Sequence, residues 1–197
     1  MFAVLIALTV HEFAHAKSAQ LAGDDTAERM GRVTLNPLAH LDPIGTLMII
    51  MSSLSGFGIG WGKPVPVNKL KLRHPRWDDV KVSLWGPLSN LTLGITCGLI
   101  IRFFPLATGA YSDLLITGVL VNLGLAIFNL IPISPLDGSH IMSGLLPAEQ
   151  AVVYERFMFR YGQLILLGMI FMAPGVIGVI IAGPTLAILK LLFIGAK

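Results

Sequence analysis

The stretch Leu8-Thr9-Val10-His11-Glu12-Phe13-Ala14-His15-Ala16 constrains this chain more than any other. It reads H-E-x-x-H and is entered directly from Met1 to Val10, whose side chains carry no formal charge. On a helix, His11 and His15 stand one turn apart on the same face. Two imidazole nitrogens so spaced can share one Zn²⁺, with Glu12 beside them as general base. The bland alternative is a pair of helix-surface histidines near an acid. It loses ground in apolar sequence, where ionisable groups are costly and mark functional sites.

The surroundings are those of a membrane protein. Only 13% of the 197 residues are charged and 54% are hydrophobic, against about 25% charged in a soluble domain. Met1 to Val10 lacks a basic leader region and a small-residue cleavage site, so the chain is expected to retain it. Its abrupt start suggests a preceding span outside this sequence. The single cysteine, Cys97, excludes an intramolecular disulfide. The net charge of +3 does not point to nucleic acid, because the basic residues sit in loops flanking apolar runs.

In chain order, residues 1 to about 20 are predicted to form the first helix. A polar loop follows, with a short strand expected at Val33-Thr34-Leu35. The stretch from Ile44 to Gly60 is apolar but short and rich in Gly and Ser, so it fits a marginal span or an in-and-out segment equally well. Alternating prolines in Pro64-Val65-Pro66-Val67 suit an edge strand. A basic loop runs on to Lys81, and its cations are expected at anionic headgroups. Spans are predicted at 82–104 and 114–130. The second breaks at Ile131-Pro132-Ile133-Ser134-Pro135-Leu136-Asp137-Gly138. Residues 161–196 read as one span plus a second helix, interrupted near Pro174-Gly175 and Gly183-Pro184. The fold expected is an all-α polytopic membrane protein with roughly 4–6 transmembrane helices and a short extended edge near the site. It forms a single domain over 1–197, with its core at about 1–145.

If the helices at 1–20, 82–104 and 114–130 alternate, then 17–42, 61–81 and 140–160 share one side. That side holds eleven of the fourteen Lys and Arg residues, and the 105–113 loop holds none. The positive-inside rule places it in the cytoplasm, with the histidine pair and Asp137 towards it. A catalytic zinc needs a third protein ligand and an open position. Asp137 alone would read as an Asx-turn residue before glycine. At a broken helix end, on the same side as the histidines, it becomes the candidate third ligand.

The combination of His11-Glu12-Phe13-Ala14-His15, Asn36-Pro37-Leu38-Ala39-His40-Leu41-Asp42-Pro43-Ile44-Gly45-Thr46, Gly62-Lys63-Pro64-Val65-Pro66-Val67-Asn68, Gly86-Pro87-Leu88-Ser89-Asn90 and Asn129-Leu130-Ile131-Pro132 to Asp137-Gly138 resembles the site-2 protease family of intramembrane zinc metalloproteases. The likeness is to a compact prokaryotic subgroup without PDZ or CBS domains and covers roughly residues 1–145. Ser139-His140 departs from the Gly and basic residue that often follow Asp-Gly in the family. His140 is then a loop histidine sooner than a fourth ligand, and His40 a candidate for indirect support of the site.

The resemblance implies hydrolysis of peptide bonds in or near transmembrane segments. Zinc held by His11, His15 and Asp137 would acidify a water and polarise the scissile carbonyl, and Glu12 would carry the proton. The Pro64-Val65-Pro66-Val67 edge would pair with unwound substrate, unless it is only a stiff connector. Asn90 would orient substrate or stabilise the oxyanion, with helix-to-helix bonding as the alternative. Asn122 and Asn129 are assigned to packing. The expected partners are a transmembrane protein substrate and the lipid bilayer of the plasma or inner membrane, with a homo-oligomer left open. Two other classes compete: a metal-ion transporter and a non-catalytic relative that binds membrane segments. The first would show repeat symmetry and a polar path. Neither needs Glu12.

Overall fold

The computed structural model describes residues 1–55, 60–104 and 109–194. Among the described residues its regular elements are helices, in agreement with the predicted all-α class. Phe2–Leu21 forms α1, Thr26–Arg29 α2, Pro43–Ser55 α3, Pro75–Phe103 α4, Ala110–Asn129 α5, Asp137–Leu145 α6, Ala148–Met172 α7 and Pro174–Phe193 α8. Three of them, α4, α5 and α8, are long and apolar enough to cross a membrane.

The core is a three-helix unit with α4 between α1 and α5. Small residues line its seams: Ala7, Ala16 and Ala19 on α1, Gly86 and Gly94 on α4, and Ala126 on α5 are all buried. Lipid supplies no hydrophobic drive between helices, so close approach of backbones and buried polar bonds must hold such a unit together. Both are present. Gly94 lets Leu123 and Asn122 of α5 press against α4, and Asn90 and Asn122 meet at the centre, fully or almost fully buried.

Several boundaries differ from expectation. No strand forms at Val33-Thr34-Leu35, because turn chemistry takes its polar groups. The Thr34 carbonyl accepts from Nε2 of His40 at 2.8 Å, and the Thr34 hydroxyl accepts from the Asn36 N–H at 3.1 Å. Extended pairing appears instead as an antiparallel bridge between Leu41 and Gly62, supported by the Lys63 N–H on the His40 carbonyl at 2.8 Å. That bridge resolves the ambiguity over 44–60. The residues flanking the segment lie side by side, and the 13 residues of α3 reach only about 20 Å. The segment therefore returns to the side it left and does not cross. Residues 56–59 lie outside the described residues.

Helix α4 starts at Pro75, well before the span predicted at 82. Proline suits the first helical turn, and the Asp78 carboxylate accepts the His74 N–H at 2.8 Å. The basic loop is correspondingly shorter and mostly committed to the protein. Lys69 pairs with Asp79 at 2.8 Å, Lys71 with Asp25 at 2.6 Å and Lys81 with Asp78 at 2.9 Å. Arg76 donates to the carbonyls of Gly144 and Leu146. Of the cations expected at lipid headgroups, Lys69, Lys71 and Arg76 thus tie this stretch to α4, to the start of α2 and to the end of α6, while Lys81 bonds back within α4. At the other end of α4, Arg102 donates to the carbonyls of Leu192 and Ile194, where α8 finishes. The C-terminal third does contain one span and a second helix. Ala173-Pro174 separates α7 from α8, whereas Pro184 is absorbed inside α8.

Candidate active site

Helix α1 carries His11, Glu12 and His15, all three buried, with the two imidazoles bonded to α4. The imidazoles stand edge to face with centroids 4.6 Å apart. Their protonation follows from their partners. Nδ1 of His15 lies 2.8 Å from the Val82 carbonyl, which can only accept, so this nitrogen carries the hydrogen. Pro87, inside α4, denies the nearby Ser83 carbonyl its helical donor and loosens that turn.

The tautomer of His11 is fixed through a longer chain of hydrogen bonds. Nδ2 of Asn122 donates to the Gly118 carbonyl at 2.8 Å, which turns Oδ1 of Asn122 towards Asn90. Nδ2 of Asn90 donates to that oxygen and to the Ala7 carbonyl, both at 2.9 Å. Oδ1 of Asn90 is therefore left facing Nδ1 of His11 at 2.6 Å, so His11 donates from Nδ1 as well. Both histidines then present bare Nε2 lone pairs, 3.0 Å apart, in the same direction.

Asp137 completes the group from the first turn of α6. Its Oδ2 is 3.1 Å from Nε2 of His11 and its Oδ1 is 3.3 Å from Nε2 of His15. The Asp-Gly turn that brings it there depends on close approach. A Cβ on Gly138 would overlap the carbonyls of Leu130 and Ile131, where the chain leaves α5. Three acceptors in mutual contact, with no proton assigned between the nitrogens, call for a cation. Oδ2 of Asp137 is buried without a hydrogen-bond partner, as a ligand atom would be. Tetrahedral zinc with bonds of about 2.0–2.1 Å sets neighbouring donors about 3.3 Å apart. The observed edges of 3.0, 3.1 and 3.3 Å fit. Among the described residues, His11, His15 and Asp137 are the group that could hold a metal.

The other candidates take different places. Glu12 receives the Val65 N–H on Oε2 at 3.0 Å, so the Pro64-Val65-Pro66-Val67 segment lies directly against the acid. Its far end is fixed by Asp24, fully buried, which accepts the Asn68 N–H at 2.6 Å. Asn90 is at the site, but its amide is spent on His11, Ala7 and Asn122, the helix-to-helix alternative combined with orientation of His11. His40 is fully buried beside Arg32 and away from the ligand group. His140 faces Asp79 at 3.3 Å and does not join the His11–His15–Asp137 group.

One residue escaped the sequence reading. Arg32, only 3% exposed, holds the carbonyls of Lys63 and Pro64, and nothing local set it apart from other loop arginines. Asn122 was assigned to helix-to-helix bonding, and its bond with Asn90 at 2.9 Å bears that out. What the sequence lacks is that the partner is Asn90. We expect Asn122→Leu, nearly isosteric, to free Asn90 to rotate off His11. Zinc affinity, measured by chelator competition, should fall about 10- to 100-fold.

Comparison with known proteins agrees with this geometry. Residues 105–173, which include Asp137, match the model of peptidase family M50. The chain is 41% identical over 157 residues to the "Putative zinc metalloprotease YwhC" of Bacillus subtilis, covering 73% of this chain and 67% of that one. It is 33% identical over 136 residues to the "Putative zinc metalloprotease Rip2" of Mycolicibacterium smegmatis, covering 68% of this chain but 52% of the relative. A shorter match, 36% over 72 residues, is to the "Zinc metalloprotease MJ0392" of Methanocaldococcus jannaschii, covering 36% of this chain and 21% of that one. No solved structure matches. Motifs, metal-donor geometry and relatives converge: the chain belongs to peptidase family M50, the site-2 protease family.

Proposed function

We propose that this protein is an intramembrane zinc metalloprotease that hydrolyses peptide bonds in or near transmembrane segments of membrane proteins. One observation carries the reading: Nε2 of His11, Nε2 of His15 and the Asp137 carboxylate converge within 3.0–3.3 Å beside the buried Glu12. Zinc bound there would supply a Lewis acid that acidifies water and polarises a carbonyl. His11 and His15 keep their lone pairs aimed at it through the Asn90 and Val82 acceptors. Glu12, with Oε2 held by Val65, has Oε1 left to take a proton from water and pass it to the leaving amine.

Depth supports action within the bilayer. At about 1.5 Å per residue, Gly86, which adjoins the histidines, lies about 25 Å from the Phe103 end of α4. In a hydrocarbon core of about 30 Å that is a few ångströms inside the opposite face. The positive-inside count supports a cytoplasmic position for this face. A substrate helix must unwind there to expose its backbone. Among the described residues, the Val65 carbonyl and both polar groups of Val67 have no partner and are available to an extended segment. The chain spans about two thirds of one relative and half of another, and the substrates of the whole protein are part of this proposal.

The test is zinc content together with cleavage of a transmembrane peptide in detergent. Wild type should carry stoichiometric zinc and cleave. Asp137→Ala should lose most of its zinc at micromolar free metal, and cleavage with it, because two histidines alone leave the ligand set incomplete. Stoichiometric zinc in Asp137→Ala would remove that residue from the ligands.

A further inference from the structure

Arg32 is a charged side chain in a place where charge is expensive. It is 3% exposed, and its Nε is buried without a partner. Burying a guanidinium costs several kcal/mol unless its surroundings compensate. Among the described residues, no carboxylate makes an ion pair with it. Nη2 donates to the Lys63 carbonyl at 2.5 Å and approaches Nδ1 of His40 at 3.5 Å, while Nη1 donates to the Pro64 carbonyl at 3.2 Å. His40 is itself fixed, since its Nε2 must donate to the Thr34 carbonyl. The Lys63 N–H closes the bracket on the His40 carbonyl.

The Pro64 carbonyl and the Val65 N–H belong to one peptide group. Arg32 holds its oxygen, and Oε2 of Glu12 accepts its hydrogen at 3.0 Å. A cation at the acceptor end and an anion at the donor end polarise the amide in the same sense, so each bond strengthens the other. The proline on either side of Val65 removes competing donors, and Val65 alone in Pro64-Val65-Pro66 can serve Glu12. We propose that Arg32 is a positioning residue for the proton carrier, acting through the Pro64–Val65 peptide to fix Oε2 of Glu12 and leave Oε1 directed at the reacting water. The inference rests on the protease reading for its effect on turnover, but the polarised peptide exists whether or not metal is bound.

Arg32→Met and Arg32→Lys test it, the second keeping the charge but lacking the fork that spans two carbonyls. Three quantities are read: zinc content, kcat against KM on a transmembrane peptide, and hydrogen-exchange protection of the Val65 amide in zinc-free and zinc-loaded protein. Both variants should keep stoichiometric zinc, lose about 10- to 100-fold in kcat with little change in KM, and lose about tenfold in Val65 protection. Glu12→Gln should lower that protection as well, because it removes the anion. Unchanged Val65 protection in Arg32→Lys and Arg32→Met overturns the inference. So does a loss of kcat that merely tracks lost zinc, which is what a purely structural arginine would give. If Arg32→Met does not fold, Arg32→Lys decides. If neither wild type nor Glu12→Gln cleaves, the protease reading falls, while Val65 exchange still decides whether Arg32 acts through the peptide.

Discussion

Glu12→Gln should leave zinc in place and lower kcat by about 10²- to 10⁴-fold, the range that one positioned proton carrier contributes. The substitution is nearly isosteric, and the amide oxygen of glutamine can accept the Val65 N–H that the carboxylate now accepts at 3.0 Å. Nothing in the metal-donor group involves Glu12, so the edges of 3.0, 3.1 and 3.3 Å among His11, His15 and Asp137 should survive. The amide cannot take a proton at neutral pH. The loss should therefore fall on kcat with KM almost unchanged, the mark of an interaction made in the transition state. The assay is zinc content beside single-turnover cleavage. Persisting cleavage would mean that another group carries the proton. A metal transporter or a non-catalytic relative would tolerate the change altogether, since neither moves a proton at this position.

How much of this was readable in the sequence depends on range. The apolar runs made the helices visible, because membrane spans are set by length and hydropathy. The four-residue spacing of His11 and His15 made their common face visible for the same local reason. Asp137 could be named because the chain breaks after α5 on the same side as the histidine pair, and the structure carries it to the histidines through the close turn at Gly138. What stayed hidden depends on long-range pairing. The start of α4 at Pro75 was masked by lysines and arginines that look solvated but are bound to Asp25, Asp78, Asp79 and the end of α6. The return of 44–60 was undecidable from composition and follows from one bridge between Leu41 and Gly62. Asn90 was placed at the site, yet only its partners reveal that both ends of its amide are in use. Arg32 is the extreme case. Its meaning lies in two carbonyls some thirty residues away, which no local pattern records.

Gly86→Ala should cost more metal than the loss of any residue outside the ligand set. A Cβ on Gly86 would overlap Nε2 and Cε1 of His15, and it would lie 2.8 Å from Cε1 of His11. One methyl group thus meets both imidazoles at their metal-facing edges. Neither ring can simply swing aside. Nδ1 of His15 is tied to the Val82 carbonyl on the same helix, and Nδ1 of His11 is tied to the fully buried Asn90. Moving the backbone instead would separate α1 from α4 along the seam that Ala7, Ala16 and Ala19 keep tight. Either response breaks the mutual contact of the three donors, and a zinc site tolerates only about 0.2 Å in its bond lengths. We expect zinc affinity to fall by at least about 10²-fold, beyond the upper end for losing one supporting hydrogen bond, with cleavage lost in parallel. The helices should persist by circular dichroism, since alanine favours helix more than glycine by about 1 kcal/mol. Gly98→Ala is the control. There the new methyl meets only the side chain of Leu192, its terminal Cδ1 at 2.8 Å, and it lies about three turns further along α4 from the donors, so zinc should be retained. Equal zinc loss in both variants would show that helix spacing alone governs the site. Loss confined to Gly86→Ala would show that this glycine leaves the space in which the histidines meet their metal.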